Sequence, residues 1–281
     1  MCAFWERGKS KYVTWTCVWV SLCIFVTFSA CQPSEAQQAA ALVAEAQQSV
    51  QDGLWQNARL LLDSVHRAYP KQVAQRRLAK ALSDSITYLE AQRTIAYSDS
   101  LLQTLLPQVD ELMRHFKYEK NSQYENHGKY VHRLLATTAN TSRNFLQAYV
   151  QDDRRTVVKS YYYGAAKVNQ KAITLSSESE DCRFSSANHT FQAEGWHEIM
   201  TLQDQEALQL LNFISTHSSA RIRIQGEGES ERARWTYYLS EKEKTALTQT
   251  YQLGFLMKDI RQLEQALQTA NAQVQRFVTK Q

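Results

Sequence analysis

The sequence predicts a mixed α+β protein, with a helical hairpin and a long helix before an inserted β-rich domain and another long helix after it. Three observations predict this fold class. Only 8 glycines and 3 prolines occur among 281 residues, which favours long helices. Apolar residues recur every three or four positions near both ends of the chain. Val, Ile, Thr and aromatic residues gather between these ends, as is typical of strands.

Residues 31–69 predict the helical hairpin. Ser34 is a suitable N-cap for a first helix, which should end near Gly53 because glycine adopts the backbone angles that close a helix. A second helix should follow and end just before Pro70, since the residue before a proline disfavours helical angles. We expect this hairpin to pack as a small cap on the helix that comes next.

Two longer helices are predicted, at residues 70–120 and 240–281. The first carries an apolar stripe over residues 82–116, and Pro107 should kink or break it. The second carries a heptad-like stripe over residues 253–277 that steps by three and four without a miss. These stripes predict an antiparallel coiled coil in which the second helix returns along the first. Homo-oligomerisation through a parallel coiled coil is the alternative.

Residues 121–239 predict the β-rich domain, with about six strands and one helix. The helix is expected over residues 204–214, where apolar side chains share one face. Strand-like segments are separated by polar and glycine-containing turns. These segments cover residues 130–136, 145–150, 156–163, 172–175, 190–202, 221–225 and 234–239.

No motif in the chain predicts catalysis. Residues 197–201 (HEIMT) begin like the zinc-protease pattern HExxH, but Thr201 stands where the second histidine is needed. His189 and His197 would lie about 26 Å apart along one strand, too far to share a metal. We expect Glu198 on a solvated sheet face. A nucleophile elbow, a phosphate loop and paired catalytic carboxylates are also missing from the sequence, which therefore predicts no enzyme, metal site or cofactor.

Aromatic residues of the β-rich domain are the candidates for recognition. The five selected are Tyr161, Tyr163, Trp196, Trp235 and Tyr237. Successive strand residues face opposite sides of a sheet, so part of any aromatic run is expected in the core. The exposed part would form a surface for a glycan or a peptide, because Tyr and Trp combine an apolar body with a polar tip.

The charge balance does not predict a nucleic-acid partner. The chain has 32 basic and 28 acidic residues, for a formal net charge of +4. Part of that excess lies before residue 12, at Arg7, Lys9 and Lys11. A near-neutral remainder provides no basic footprint for a phosphate backbone.

The first 31 residues resemble the export signal of bacterial lipoproteins. A basic stretch precedes the uncharged residues 12–28, and Ser29 and Ala30 then precede Cys31. This matches the lipobox of that class, although Phe28 replaces the usual leucine. The resemblance implies cleavage of residues 1–30, acylation of Cys31 and attachment to a membrane. Gln32 is not the aspartate associated with inner-membrane retention, so the outer membrane is favoured, on either face.

Longer segments are similar to a family of bacterial envelope lipoproteins of unknown function. They include LLLDSVHRAYP, EAQRTIAYSDSLLQTLLP, HTFQAEGWHEIMTL and YYLSEKEKTALTQTYQLG, and the similarity covers nearly the whole chain after Cys31. The resemblance assigns no catalytic residue. The sequence thus predicts a non-enzymatic, lipid-anchored protein that presents a recognition or assembly domain on a coiled-coil stalk to an envelope protein or glycan. The alternative is a lipoprotein that binds a glycan or peptide ligand on its aromatic β surface.

Overall fold

The computed structural model describes residues 33–121, 123, 126–135, 143–164, 167–192, 196–228 and 234–280. Contacts between Cα atoms divide the chain into two compact units, one ending at Glu90 and one from Ala91 to Lys280. The helices of the described residues, α1 to α5, are Glu35–Gln51, Trp55–Ala68, Val73–Met113, Asp204–Thr216 and Glu241–Lys280. Among them, none combines the length and the apolar character needed to cross a membrane.

The first unit begins with the expected hairpin. The Ser34 side chain accepts a hydrogen bond from the Gln37 backbone N–H, and the Gln37 side chain accepts one from the Ser34 N–H. This capping box satisfies two backbone donors that the first helical turn cannot pair internally. Gly53 has a φ of +74°, which glycine adopts without strain, and the chain reverses there into α2. The predicted helix boundaries of the hairpin are confirmed within two residues.

The apolar faces of α1, α2 and the first part of α3 share one cluster. Its buried members are Val43, Ala46, Ala58, Leu62, Val65, Ala79 and Ile86. At the edge of this cluster, Arg59 forms an ion pair with Glu90 at 2.5 Å and donates to the Thr87 hydroxyl at 3.1 Å. The hairpin is therefore fastened to α3 by apolar contact and by one half-buried ion pair.

Helix α3 differs from the prediction at Pro107 and at its end. Pro107 lies inside the helix, which continues to Met113 instead of breaking. Leu105 and Leu112, on either side of the proline, pack against the same apolar cluster, and this packing offsets the helical hydrogen bond that proline cannot donate. The chain then enters a strand at Phe116, so the β region begins before residue 121.

The second unit contains two antiparallel sheets. One has six strands in the order β1-β2-β3-β4-β8-β7, and the other has four in the order β10-β9-β5-β6. A short 3-10 helix, Arg133–Leu135, follows β2. Strands β1 to β10 are Phe116–Glu119, Lys129–His132, Phe145–Gln151, Thr156–Gly164, Ala172–Ser176, Asp181–Ser185, His189–Gln192, Trp196–Gln203, Arg223–Glu227 and Arg234–Tyr238. The mixed α+β class is thereby confirmed.

The described residues hold ten strands, where about six were predicted. Strands β1 (FKYE) and β6 (DCRFS) are short and largely polar, so their strand character comes from pairing with β2 and β5. The segment expected as one strand over residues 190–202 forms two strands, β7 and β8, which pair as a hairpin. The helix expected at residues 204–214 is confirmed as α4.

The main core lies on one face of the six-stranded sheet. Strands β3, β4 and β8 contribute Leu146, Val158 and Met200 to it. The four-stranded sheet contributes Ile173 and Ile224, and the remaining buried side chains come mainly from α4 and α5, namely Ala207, Leu210, Leu211, Phe213, Ile214, Ala246 and Leu247. Helices and strands of the same chain therefore cover this face of the six-stranded sheet.

A buried carboxylate lies beside this core. Glu198 of β8 is 1% exposed, so the expectation of a solvated position was wrong. Its oxygens accept three backbone hydrogen bonds, from Val168 at 2.6 Å, Asn169 at 2.9 Å and Gln170 at 2.6 Å. These three residues immediately precede β5, so Glu198 ties the six-stranded sheet to the segment that leads into the four-stranded one. Strand alternation gives the parity of Glu198 but does not say which face is covered.

Glu198→Gln should lower the free energy of unfolding by about 1–3 kcal/mol, because the amide group turns a donor towards backbone donors and leaves buried N–H groups unpaired. Chemical denaturation would measure the loss. Glu178→Gln, at an exposed site, is the matched control and should change stability by less than about 0.5 kcal/mol. Equal stabilities of the two variants would contradict the role assigned to Glu198.

Candidate functional site

The face of the six-stranded sheet opposite the main core carries aromatic residues and lysines. Strand pairing places Tyr149 across from both Val131 and Val157, and Phe145 across from Tyr161. Directly paired residues of antiparallel strands have their side chains on the same face. We call this the tyrosine–lysine face, formed by Lys129, Val131, Phe145, Gln147, Tyr149, Val157, Lys159, Tyr161, Tyr163 and Ile199.

Tyr149 is at the centre of the tyrosine–lysine face. It forms a separate cluster with Val131 and Val157 that includes no helix residue. The ammonium groups of Lys129 and Lys159 lie 5.8 Å and 5.7 Å from the centroid of its ring. Both distances are within the range at which a cation is attracted to an aromatic face. The lysine stems thus cover apolar surface while their charged ends remain at the edge of the face.

A second aromatic contact lies next to Tyr149. The rings of Phe145 and Tyr161 stack with centroids 4.3 Å apart and planes 4° from parallel. The Tyr161 hydroxyl donates to the side-chain oxygen of Gln147 at 3.0 Å. Burial raises the pKa of the Tyr161 phenol above its ordinary value, so this hydroxyl remains a donor. Tyr163, two residues further along β4, is 41% exposed.

The tyrosine–lysine face ends at a pocket of about 210 Å³ beside the turn between β3 and β4. Asn126, His127, Lys129, Tyr149 and Gln151 line it. Next to it, the Asp152 carboxylate accepts hydrogen bonds from the Gly128 N–H at 2.8 Å and the Tyr118 hydroxyl at 3.2 Å, and it lies 3.0 Å from His127 Nδ1.

The backbone N–H of Gly128, together with His127 and Tyr118, holds the pKa of the Asp152 carboxyl below its ordinary value. Within the described residues, no serine or cysteine is hydrogen-bonded to His127, so this aspartate–histidine pair does not activate a nucleophile there. The arrangement is instead that of a turn whose polar groups satisfy one another. It gives the pocket a rigid rim.

The five residues chosen as a recognition surface do not come together. Tyr161 and Tyr163 lie on the tyrosine–lysine face, but Trp235 and Tyr237 lie on β10 of the other sheet. Trp235 is 7% exposed, belongs to the main core and stacks on Tyr237 at 5.8 Å. Burial raises the pKa of the Tyr237 phenol well above its ordinary value. Trp235 is thus a core residue and Tyr237 is partly buried against the same core, which corrects the expectation that they share an exposed surface with Tyr161 and Tyr163.

The two remaining predicted residues are less fully described. Trp196 pairs with Gly164 through the backbone, at the start of β8. Cys31 lies outside the described residues. Acylation of Cys31 thus stays a prediction from sequence.

Sequence reasoning overlooked Tyr149, Lys129 and Lys159. Tyr149 and Lys159 lie in predicted strand segments, and Lys129 lies one residue before another. The alternation in FLQAYVQ places Phe145 and Tyr149 on one side of β3. The sequence pattern does not reveal that β2, β3 and β4 pair with one another. This pairing brings residues of three strands to the ring of Tyr149. A search for lysines flanking a strand tyrosine on paired hairpins would have found them.

Buried titratable groups in the described residues have structural partners. Glu243, 6% exposed, accepts from the Ser240 N–H and hydroxyl and so caps α5. Lys244, 3% exposed, donates to the Ala220 carbonyl at 2.9 Å. No group of three or more His, Cys, Asp or Glu side chains in the described part of the chain is arranged to hold a metal ion.

Comparisons of the chain with protein-family models, with curated proteins and with solved structures found no match. The function is therefore inferred from the residues and their geometry. Within the described residues, the candidate for recognition is the tyrosine–lysine face, whose centre is buried and whose edge exposes Tyr163.

His132 should make stability depend on pH. It is 2% exposed, accepts from the Leu134 N–H through Nδ1 at 3.1 Å, and lies 2.6 Å from the Gln249 side-chain oxygen through Nε2. Burial lowers the pKa of His132 below its ordinary value of 6.5. The unfolded chain therefore binds the proton more readily, and the free energy of unfolding should fall as the pH drops below 6.5.

Denaturation of the protein and of His132→Gln at about pH 7.5 and about pH 5 would test this effect. The variant should lose less stability over that interval than the unsubstituted chain, because its side chain does not titrate. The same loss in the chain and in His132→Gln would exclude His132 as the cause.

Proposed function

We propose that this is a lipid-anchored protein of the bacterial cell envelope that binds a protein partner through the tyrosine–lysine face. The observation that carries the proposal is the tyrosine cluster on a sheet face opposite the main core, with no helix residue in its central cluster. A sheet buries one face in its own core and keeps the other for solvent or a partner. Tyr163, at the edge of this face, is 41% exposed, whereas Phe145 and Tyr149 are 6% and 7% exposed, so Tyr163 is the tyrosine that would meet a partner first.

The chemistry of this face favours a protein partner over a glycan. Sugars stack on open aromatic faces, but the Tyr149 ring is already close to two ammonium groups. The rings of Phe145 and Tyr161 stack on each other, so one face of each ring is already covered. Aromatic side chains are enriched at the centre of protein interfaces, and the rim of such interfaces is polar. Lys129 and Lys159 add positive charge, so the partner surface is expected to be acidic.

The lipid anchor is supported by the N-terminal sequence. Residues 12–28 are uncharged after a basic stretch, and small residues precede Cys31. One acyl chain holds a protein to a membrane only marginally, whereas the several chains of a bacterial lipoprotein hold it firmly. Location in the outer membrane and a non-catalytic, binding role belong to the same proposal.

We also infer that the part of α3 after Ala91 packs on α5 within one chain, as an intramolecular antiparallel coiled coil, with the β-rich segment inserted between them. Support comes from an apolar cluster that contains Val109 of α3 with Leu253 and Ile260 of α5. Phe116 and Val150 from the six-stranded sheet join this cluster. A stripe satisfied inside the chain leaves less apolar surface for a parallel dimer.

Photocrosslinking would test the tyrosine–lysine face. With p-benzoylphenylalanine in place of Tyr163, irradiated cells that produce the protein should yield one discrete adduct, because this side chain is exposed on the proposed interface. The control is the same replacement at Tyr238, which is 48% exposed on the other sheet and should yield none. Mass spectrometry of the adduct separates a peptide from a glycan.

Charge reversal sharpens this experiment. Lys159→Glu should reduce the Tyr163 adduct several-fold, since an acidic partner would meet a like charge. Lys242→Glu, at an exposed position in the first turn of α5, is the matched control and should leave the adduct unchanged. Adducts of equal yield at positions 163 and 238 would refute the proposed interface.

Metabolic labelling with an alkyne-bearing palmitate would test the anchor. The protein should incorporate the label, and Cys31→Ala should abolish incorporation because the acylated thiol is removed. Cys182→Ala is the control and should label fully. Burial and the neighbouring Glu180 raise the pKa of the Cys182 thiol, which makes it a poor nucleophile. Persistent labelling of Cys31→Ala would rule out the assigned acylation site.

A further inference from the structure

A second pocket of the Ala91–Lys280 unit, of about 200 Å³, collects basic side chains from separate elements. Arg154 comes from the turn between β3 and β4, and Lys258 and Arg261 come from α5. Thr156, Asp204, Gln205 and Leu208 complete the lining. The lining therefore contains three cations and one carboxylate.

The cations of this pocket are incompletely neutralised. Arg261 Nη1 lies 3.8 Å from the Asp204 carboxylate, near the limit for an ion pair. Lys258 donates to the neutral side-chain oxygen of Gln205 at 3.4 Å and forms no ion pair with a described carboxylate. Arg154 pairs with Glu264, which does not line the pocket. With Glu264 counted, three cations face two carboxylates, so one positive charge is in excess, and Lys258 is the cation that forms no ion pair with a described carboxylate.

Exposure shows which side of each ion pair faces inwards. The side chains of Arg154 and Arg261 are 27% and 31% exposed, whereas their partners Glu264 and Asp204 are 49% and 46% exposed. The guanidinium groups are on the protected side, and the carboxylates are on the solvent side. Charges in a protected recess interact more strongly with a bound ion than charges on an open surface do.

The backbone around the pocket is held in a specific arrangement. Gly254 of α5 lies so close to β4 that a Cβ atom there would be 2.4 Å from the Thr156 hydroxyl oxygen. Arg154 and Asp204 have φ values of 67° and 48°, in the left-handed region that side-chain-bearing residues rarely adopt. Such conformations persist only where the surroundings enforce them, and they concentrate at functional sites.

We propose that this pocket binds a phosphate-type oxyanion, either as a small phosphorylated compound or as the phosphate monoester of a lipid headgroup. Two guanidinium groups and one ammonium group from two directions match an anion with several acceptor oxygens. The volume is several times the roughly 30 Å³ that one water occupies in the liquid, so a polyatomic anion fits. This inference uses residues apart from the tyrosine–lysine face and does not depend on the proposed function.

Calorimetric titration of the full chain in non-ionic detergent with inorganic phosphate, at constant ionic strength set with chloride, would test the proposal. We expect saturable binding that Lys258→Gln and Arg261→Gln each weaken on the order of tenfold, since each removes a charged donor. Glutamine forms helices about as well as lysine and arginine do, and circular dichroism would verify the fold. Because two variants are tested, the result does not depend on the correct folding of either one alone.

Arg276→Gln is the matched control, because Arg276 is an exposed basic residue on the same helix and does not line the pocket. It should bind phosphate like the unsubstituted chain. Absence of saturable binding, or equal weakening in the control and the pocket variants, would overturn the proposal and indicate general charge screening.

Titration with dihexanoyl phosphatidic acid, below its micelle concentration, distinguishes the source of the anion. Affinity equal to that of inorganic phosphate supports a small phosphorylated compound. Tighter binding that Lys258→Gln abolishes supports a lipid headgroup, because the added affinity then depends on the phosphate contact. If neither pocket variant changes the affinity for the lipid, the proposal is contradicted.

Discussion

The two sheets of the β region depend on the buried carboxylate of Glu198. A charged group inside a core is tolerable only when its lone pairs are used, and three backbone N–H groups use them here. Gln170 adds a second link through its side-chain donation to the Ser160 hydroxyl of β4 at 2.8 Å. These polar contacts set the position of the segment before β5, and the four-stranded sheet then closes the apolar core above Val158 and Met200.

This closure has a consequence for the six-stranded sheet. The main core, α4 and α5 occupy one face, so the aromatic residues of the opposite face are left to pack on each other and under lysines. Strand β3 is buried along nearly its whole length, so side chains on both of its faces are covered. The turn that joins β3 to β4 contributes to both pockets. Its Asp152 lies beside the pocket at the end of the tyrosine–lysine face, and its Arg154 lines the basic pocket.

Local signals predicted much of the fold. Ser34 with Gln37, Gly53 and Pro70 act within a few residues of the chain, and the ends of α1 and α2 follow from them. The helix after residue 204 followed from its apolar spacing. Strands β1 and β6 were missed, because four or five largely polar residues become a strand only when a partner supplies the ladder. Of the two outcomes expected at Pro107, a break does not occur, because packing on both sides of the proline outweighs one missing hydrogen bond.

The sequence alone determined the α+β class, the ends of the short helices and the alternation that puts Tyr161 and Tyr163 on one face. It also contains the segment ending at Cys31 that resembles a lipobox and motivates the proposed anchor. Only the tertiary structure decided that Trp235 and Glu198 are buried, that two lysines flank Tyr149, and that Arg154 meets Glu264 from 110 positions away. The reason is that backbone preferences act over a few residues, whereas burial and converging charge depend on strand register and on how helices pack across a sheet.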